Sequence, residues 1–495
     1  MKKYRLLTPA LSIAALTFST CTKSQEQKRE PMPNIIYIYA DDLGIGDVGC
    51  YGQQYIRTPN IDKMAEEGIR FTQHYTGAPI CAPARCCLLT GKHSGNAYIR
   101  NNYELPDSSE FKTGQLPLPD ETVTIAEVLK KSGYITGIIG KWGLGSIESS
   151  GNPNKQGFDF FYGYADQVHA HNHFPAFLWR NGEMEFLLND VSSVHPKYQK
   201  DEIPDSQTEY KKYMGHQYSL DLITDEAKKF INENRENPFF LYIPFVIPHK
   251  ALQVPDESLE WYKGVFDEKP YAGRNGYTPH PRPLSAYAAM VTRMDQKIGE
   301  ILNYLKQQGL DGNTLVMFSS DNGPAAGGGL DPRFFNSSAG LRGGKGQVYE
   351  GGIREPFVAR WPGKIPSGIV SDHISAQYDL MATLGEIAGQ EVSDTDGISF
   401  LPALLGKKEE QKLHDYLYWE FPGGNQIAIR IGDWKGVKPR NRMNTDNNWE
   451  VYHLVSDETE SENVADQFPE WSDRFDEIVK KRTPSHIREW NFMDL

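Results

Sequence analysis

Four stretches of this chain are apolar almost from end to end: "NIIYIYA" (34–40), "YITGIIG" (134–140), "PFFLYIPFVIP" (238–248) and "NTLVMFSS" (313–320). A strand with one wet face alternates apolar and polar side chains. A run without alternation suits a strand covered on both faces, as in a parallel sheet. Helical patterns lie between these runs. "TPNIDKMAEEG" puts Ile61, Met64 and Ala65 on one face, with Gly68 as its stop. "TIAEVLKKSG" opens with Thr124 and Glu127 at capping-box spacing. "YSLDLITDEAKKFINEN" and "LSAYAAMVTRMDQKIGEILNYLKQQG" each precede an apolar run. Alternation of this kind predicts an α/β fold with a large, mainly parallel sheet flanked by helices.

After about Gly406 the texture changes. "DYLYWEFPGGNQIAIRIGDWKGVK" and "WEVYHLV" read as hairpin strands with Gly and Asn turns, and "WSDRFDEIVKKR" as a closing helix. A catalytic domain is therefore expected over 33–410 and a smaller antiparallel α+β subdomain over 411–495.

The start of the chain has its own character. Lys2, Lys3 and Arg5 precede a short apolar stretch and then small residues before Cys21. That is the pattern of a secretory signal over 1–20. Pro9 interrupts the stretch, which is too short to span a bilayer comfortably. Cys21 after "FST" resembles a bacterial lipoprotein cleavage site. The polar segment 21–32 is then a membrane tether; ordinary cleavage giving a soluble periplasmic protein is the alternative. Either way the protein is expected to be exported, to the periplasm or the outer membrane. A net charge of −13 makes the chain a poor candidate for a nucleic-acid coat, since phosphate neutralisation needs clustered Lys and Arg. An anionic substrate needs a local basic pocket opposing that field.

Unusual polar residues fall at the ends of the apolar runs. Asp41 and Asp42 follow the first, Lys141 the second, His249 the third, and Asp321 with Asn322 the fourth. In open α/β sheets ligands bind beyond the carboxyl ends of the strands, so four segments should converge on one crevice. Three carboxylates and an amide packed together call for a counter-charge. Oxygen-only donors suit calcium, with magnesium possible, rather than zinc. Asp41, Asp42, Asp321 and Asn322 are the expected cage.

The cysteines do not read as a disulfide framework. After Cys21 there remain Cys50, Cys81, Cys86 and Cys87. Cys86 and Cys87 are adjacent, and setting Cys81 aside leaves an odd number. Cys81 begins "CAPAR", followed by "LLTG". Here the chain resembles the formylglycine-dependent, type I arylsulfatase-like sulfatases, whose signature is C-x-P-x-R. The resemblance also takes in "ADD", "GKWGLG", the "PH" at 248–249, "SSDNG", "RGGKGQVYEGGIREP" and "EVYHLVSDETESENVAD", in the family's order. It implies an alkaline-phosphatase-like fold. It also implies that a maturation enzyme oxidises Cys81 to formylglycine, whose hydrate joins the metal shell. One hydroxyl attacks sulfur, a covalent sulfo-enzyme forms, and the second hydroxyl expels sulfate. Arg85 then holds the diol and its surroundings, Lys141 and Lys345 bind sulfate, and His249 protonates the leaving oxygen.

Two positions depart from the commonest family pattern. Ala84 stands where Ser is frequent, and Gly143 where many relatives carry His. His169, His171 and His173 alternate, so on an extended segment they would share one side. His171 or His173 is then expected to replace the missing histidine and touch sulfate or sugar. Gly143 with "HAHN…FLWRN" resembles bacterial carbohydrate sulfatases acting on sulfated galactose or N-acetylgalactosamine, the 4-O position included. Trp179 is a candidate for stacking on a sugar, with Arg100, Asn101 and Arg180 as further substrate contacts. The competing enzyme reading is a phosphatase, phosphonate hydrolase or phosphotransferase on the same scaffold. The competing non-enzyme reading is a glycan-binding surface lipoprotein.

Overall fold

A computed structural model of the chain describes residue 1 and residues 31–105, 115–191, 193–198, 205–273, 276–439 and 448–492. The expected signal segment, most of the tether and Cys21 lie outside these residues. Residues 32–495 form one compact unit.

The main sheet contains β1 (Asn34–Ala40), β2 (Ile69–Tyr75), β3 (Ile135–Lys141), β4 (Phe160–Tyr164), β5 (Phe177–Arg180) and β6 (Glu183–Phe186). It continues with β7 (Phe239–Pro244), β8 (Thr314–Ser320), β9 (Arg354–Arg360), β10 (Ile369–Ser371) and β11 (Ser375–Ala376). The order is β10-β2-β9-β8-β1-β7-β3-β4-β5-β6, with β11 also on β2. The centre, β8-β1-β7-β3-β4, is parallel throughout. The sheet is not uniformly parallel, because β9 runs antiparallel to both β2 and β8, and β5 and β6 form an antiparallel edge.

The unbroken apolar runs have the cause expected of them. Every residue of β1 is buried. Ile36, Ile38 and Ala40 enter the core on one face, and Ile35, Tyr37 and Tyr39 the core on the other. Helices Ser219–Glu233 and Pro283–Gln307 cover the first face; Cys81–Thr90, Ile125–Lys130 and Asp379–Ile387 cover the second. Burying both faces leaves no position for a polar side chain until the strand ends.

Helix ends follow local chemistry where it is present. Glu127 N–H donates to Thr124 Oγ1 and Thr124 N–H to Glu127 Oε2, the expected capping box. Helix Pro59–Glu66 buries Ile61, Met64 and Ala65, yet its first amides are capped from afar. Asp295 accepts from the N–H groups of Asn60 and Ile61. The third apolar run is only partly strand: β7 stops at Pro244, and "FVIP" continues as loop toward His249.

The C-terminal strands β12 (Leu417–Phe421), β13 (Gln426–Ile431), β14 (Trp434–Pro439) and β15 (Glu450–His453) form an antiparallel sheet in chain order. Helix Glu470–Val479 closes one face with Phe475 and Ile478. A Cβ at Gly436 would lie 2.4 Å from the Phe475 ring, so a side chain there would push the helix off. The other face shares a core with Tyr75, Val348 and Tyr378 of the main body. Trp419 Nε1–H donates to Thr76 O at 2.7 Å, and buried Lys435 bridges Glu350 and Glu460.

Candidate active site

β8, β1, β7 and β3 lie side by side and parallel, so their carboxyl ends open on one rim. Asp41 and Asp42 leave β1 there, Lys141 ends β3, His249 follows β7, and Asp321 and Asn322 follow β8. The backbone turns sharply at Asp42, where φ is 67° in the left-handed region a non-glycine residue seldom adopts. Local bonds hold that turn. Asp42 N–H donates to Asp321 Oδ1 at 3.0 Å, and Asn322 Nδ2–H donates to Asp42 Oδ1 at 2.8 Å.

Helix Cys81–Thr90 brings Cys81 to this rim as its first residue. The positive end of the helix dipole therefore faces the cluster and favours negative charge at position 81. The Cys81 sulfur lies 3.5 Å from Asp41 Oδ1, 4.0 Å from Asp42 Oδ1 and 3.4 Å from Lys345 Nζ. Burial pushes the thiol up to about 12, despite Lys141 and Lys345 nearby. As an unmodified cysteine it is a poor nucleophile.

Arg85, one helical turn on, is fully buried. It donates from Nη1 to Lys141 O at 3.0 Å and from Nη2 to Asp321 Oδ2 at 2.8 Å. Lys141 Nζ reaches Asp41 Oδ2 at 2.6 Å, and Lys345 Nζ reaches Asp42 Oδ1 at 2.7 Å. Each carboxylate thus has its own cation. Burial pushes the Asp41 carboxyl up, but Lys141, His249, Arg85 and Lys345 together hold it well below the ordinary carboxylate value. Asp321 goes the other way: burial, then the charge of Asp41, raises it to about 7.

These residues fit a hard divalent ion. Asp41, Asp42, Cys81 and His249 offer ligand atoms within 4.8 Å of one another. Asn322 Oδ1 is buried with no hydrogen-bond partner among the described residues, an oxygen that a cation would satisfy. The donors contributed by Asp41, Asp42, Asp321 and Asn322 are all oxygen, the set that calcium or magnesium prefers.

His249 Nδ1–H donates to Lys250 O, which leaves Nε2 facing the site, 3.5 Å from Asp42 Oδ2. Burial, then Lys345, lowers its pKa well below the ordinary histidine value. The neighbouring histidines differ from expectation. Residues 169–171 form a single 3-10 turn rather than an extended segment. The turn forms because Asp166 Oδ1 accepts from the N–H groups of Val168 and His169. His169 packs into the core against Phe177 and Tyr164. His173 is fully buried and braces the backbone, its Nε2–H donating to His249 O at 2.8 Å. His171 stacks on the His249 ring, with centroids 4.3 Å apart and planes within 13°. Of the three, His171 is the one whose ring lies against a site side chain.

The space at Gly143 is taken. A Cβ there would lie 2.0 Å from Gln167 Nε2, and Gly143 has φ of 75°, so a histidine would be strained and would displace Gln167. Neither amide atom of Gln167 has a hydrogen-bond partner among the described residues. The other expected substrate contacts are held elsewhere. Arg100 is buried, donating to Ala97 O and reaching Glu420 and the Thr483 carbonyl, which ties the rim to the C-terminal sheet. Arg180 forms a paired bridge to Glu226 and a bond to Glu185. Trp179 packs on the core with its ring edge against Phe177. The charges that Arg100 and Arg180 were expected to offer a sugar are engaged with protein. Sequence reasoning missed Lys250, Tyr277 and His195, which stand beside His171 and His249. Lys250 directly follows the "PH" motif; His195 and Tyr277 carry no sequence signal.

Residues 33–390 match the family described as Sulfatase, and residues 344–483 that described as N-sulphoglucosamine sulphohydrolase, C-terminal. The chain is 30% identical to the N-acetylgalactosamine-6-O-sulfatase of Bacteroides thetaiotaomicron, over 97% of this chain and 99% of that protein. It is 32% identical to arylsulfatase A of Homo sapiens, over 81% and 74% respectively. The crystal structure of Ps i-CgsB in complex with k-i-k-neocarrahexaose superposes with a TM-score of 0.73 at 25% identity, covering 94% of this chain and 98% of that one.

Proposed function

Because the chain belongs to the sulfatase family and is a sulfuric ester hydrolase, we propose that its substrate is a sulfated saccharide, a galactose or N-acetylgalactosamine sulfate, cleaved with a formylglycine made from Cys81. The observation that carries this reading is the setting of Cys81. It sits at a helix start against two carboxylates and Lys345, with Arg85 one turn behind. A buried thiol pushed up to about 12 has little chemistry of its own there, whereas a hydrated aldehyde in the same place has oxygens to offer the same partners.

When formed, the hydrated aldehyde supplies a nucleophilic oxygen and a way to release sulfate by re-forming its carbonyl. Asp41, Asp42, Asp321 and Asn322 would hold a calcium ion, which would supply positive charge to the site. The chain's own groups do the rest. Arg85 fixes Asp321 and the Lys141 backbone, so the cage keeps its shape. Lys141 and Lys345 place ammonium groups where charge gathers on the sulfate oxygens. His249 Nε2 faces the same space and, when protonated, delivers the proton to the departing sugar oxygen. The negative sulfate entering beside it favours that protonated form.

The same reading takes the protein as exported through segment 1–20, with Cys21 as the lipid anchor, and as matured by a formylglycine-generating enzyme. Two ester positions compete: the 4-O position expected from the sequence, and the 6-O position named for the Bacteroides relative. The test has two arms. Peptide mass spectrometry across 78–92 of an active preparation should find residue 81 lighter than cysteine; an unmodified thiol in fully active protein overturns the mechanism. Turnover is then compared on 4-O- and 6-O-sulfated galactose and N-acetylgalactosamine and on matched phosphate esters. Faster phosphate than sulfate hydrolysis overturns the substrate class.

A further inference from the structure

His171 and His195 form a hydrogen-bonded pair beside the leaving-group histidine. His195 Nδ1 lies 2.7 Å from Gly276 O, a group that only accepts, so Nδ1 carries the proton. In the neutral ring with its proton on Nδ1, the other nitrogen, Nε2, is a lone pair. That lone pair faces His171 Nδ1 at 2.9 Å, so His171 Nδ1–H donates to it. Holding the proton on Nδ1 leaves His171 Nε2 without one. No hydrogen bond from the described residues reaches Nε2.

His171 is enclosed by the rings of His195, His249 and Tyr277. Its ring lies flat on His249, so the two imidazoles stand one ring spacing apart at the side from which the sugar departs. Lys250, across from them over the Tyr277 ring, donates to Ala326 O. Among the groups next to His249, His171 Nε2 is therefore a heteroatom whose one capacity is to accept.

We propose that the His171–His195 pair is a specificity device, in which His195 fixes the tautomer of His171 so that Nε2 accepts a hydrogen bond from a free saccharide hydroxyl near the sulfated oxygen. The inference rests on the sulfatase reading above. His171 touches the substrate; His195 acts through it and is a positioning residue. The bond exists in the bound ground state, so its loss raises KM more than it lowers kcat.

The test compares kcat/KM on the preferred saccharide sulfate with that on 4-nitrophenyl sulfate, which has no such hydroxyl. His171→Phe keeps the flat ring and removes the acceptor. His195→Ala frees the tautomer. His195→Gln can accept from His171 Nδ1–H and donate to Gly276 O, so it should rescue. The saccharide-to-aryl ratio should fall about 10–100-fold in His171→Phe and about tenfold in His195→Ala, mostly through KM, and return to within about threefold of wild type in His195→Gln. Long-range imidazole ¹⁵N spectra should show His171 as the Nδ1–H tautomer in the wild type and in His195→Gln, but not in His195→Ala. Equal losses on both substrates, or a wild-type His171 protonated on Nε2, overturn the proposal. Wild-type protein that hydrolyses no sulfate ester defeats the underlying reading instead.

Discussion

Replacing Arg85 by alanine isolates the contribution of one buried charge to the site. Arg85 and Asp321 are both fully inaccessible, and their bond is 2.8 Å long. Truncation removes two donors at once. Asp321 Oδ2 loses its partner and Lys141 O loses Nη1, while Asp321 Oδ1 keeps the Asp42 amide. Breaking a buried ion pair from one side costs about 3–5 kcal/mol, because the remaining charge stays out of water uncompensated. For a unit running from Met32 to Leu495, the entropy of unfolding is on the order of 1 kcal/mol/K. The expected fall in melting midpoint is therefore about 3–5 °C. Activity should fall further, by about 10²–10³-fold in kcat/KM, because the groups that Arg85 positions face the developing charge. Arg85→Lys keeps the charge but cannot hold Asp321 and the Lys141 carbonyl together, so it should recover only part of either quantity. The assay is differential scanning fluorimetry at fixed scan rate, beside steady-state kinetics on the same preparations. A midpoint within about 1 °C of wild type for Arg85→Ala, or full recovery of both quantities by Arg85→Lys, refutes this account of the pair.

Removal of divalent ions by EDTA dialysis should abolish turnover, calcium should restore it, and the rise in melting midpoint on adding calcium should vanish in Asp41→Asn; turnover unaffected by chelation counts against the oxygen cage. Acid stability offers a second measurement. Burial lowers the pKa of His74 to about 3, and its Nε2 has no hydrogen-bond partner among the described residues. The folded state therefore holds His74 neutral. The stability this represents is complete above the ordinary histidine value near 6.5 and drains away below it at about 1.4 kcal/mol per pH unit. His74→Phe should shrink the drop in melting midpoint between pH 7.5 and pH 5 by about 2 °C; an unchanged drop removes His74 as a cause.

What could be read in the sequence followed physical locality. β1, β3 and β8 announce themselves because burial on two faces leaves them almost wholly apolar or small, and the charged residues at or just beyond their carboxyl ends lie on the rim. Asp41, Lys141 and Asp321 were legible for that reason. The Thr124–Glu127 cap was legible because its partners are three residues apart. Sheet order and the antiparallel insertion of β9 were not, since pairing of Ile69 with Ala359 leaves no local trace. Arginines were misread for the same reason. Nothing near Arg100 in sequence shows that its partner Glu420 lies 320 residues away, so a buried brace looked like a free cation. The histidine segment failed differently: alternation means one face only if the chain is extended, and Asp166, three residues before His169, was the overlooked turn signal.

The charges of the rim bear on why an acidic protein can accept a sulfate at all. Asp41, Asp42 and Asp321 carry three negative charges when ionised, and Lys141, Lys345 and Arg85 carry three positive ones, paired across the cluster, with Arg85 also 3.6 Å from Asp41. Protein groups alone thus sum to zero, inside a chain whose net charge is −13. In that state the two lysines are spent on aspartates, and an incoming sulfate ester meets no net attraction. A dication taken up by the aspartates and Asn322 would change both terms together. It would raise the local sum to +2 and compete with Lys141 and Lys345 for the carboxylate oxygens, which would leave their ammonium groups available to an anion. Under the proposed function, anion affinity would then depend on the metal. The orphaned Asn322 oxygen is the one donor in the cage with nothing to give up when the ion arrives.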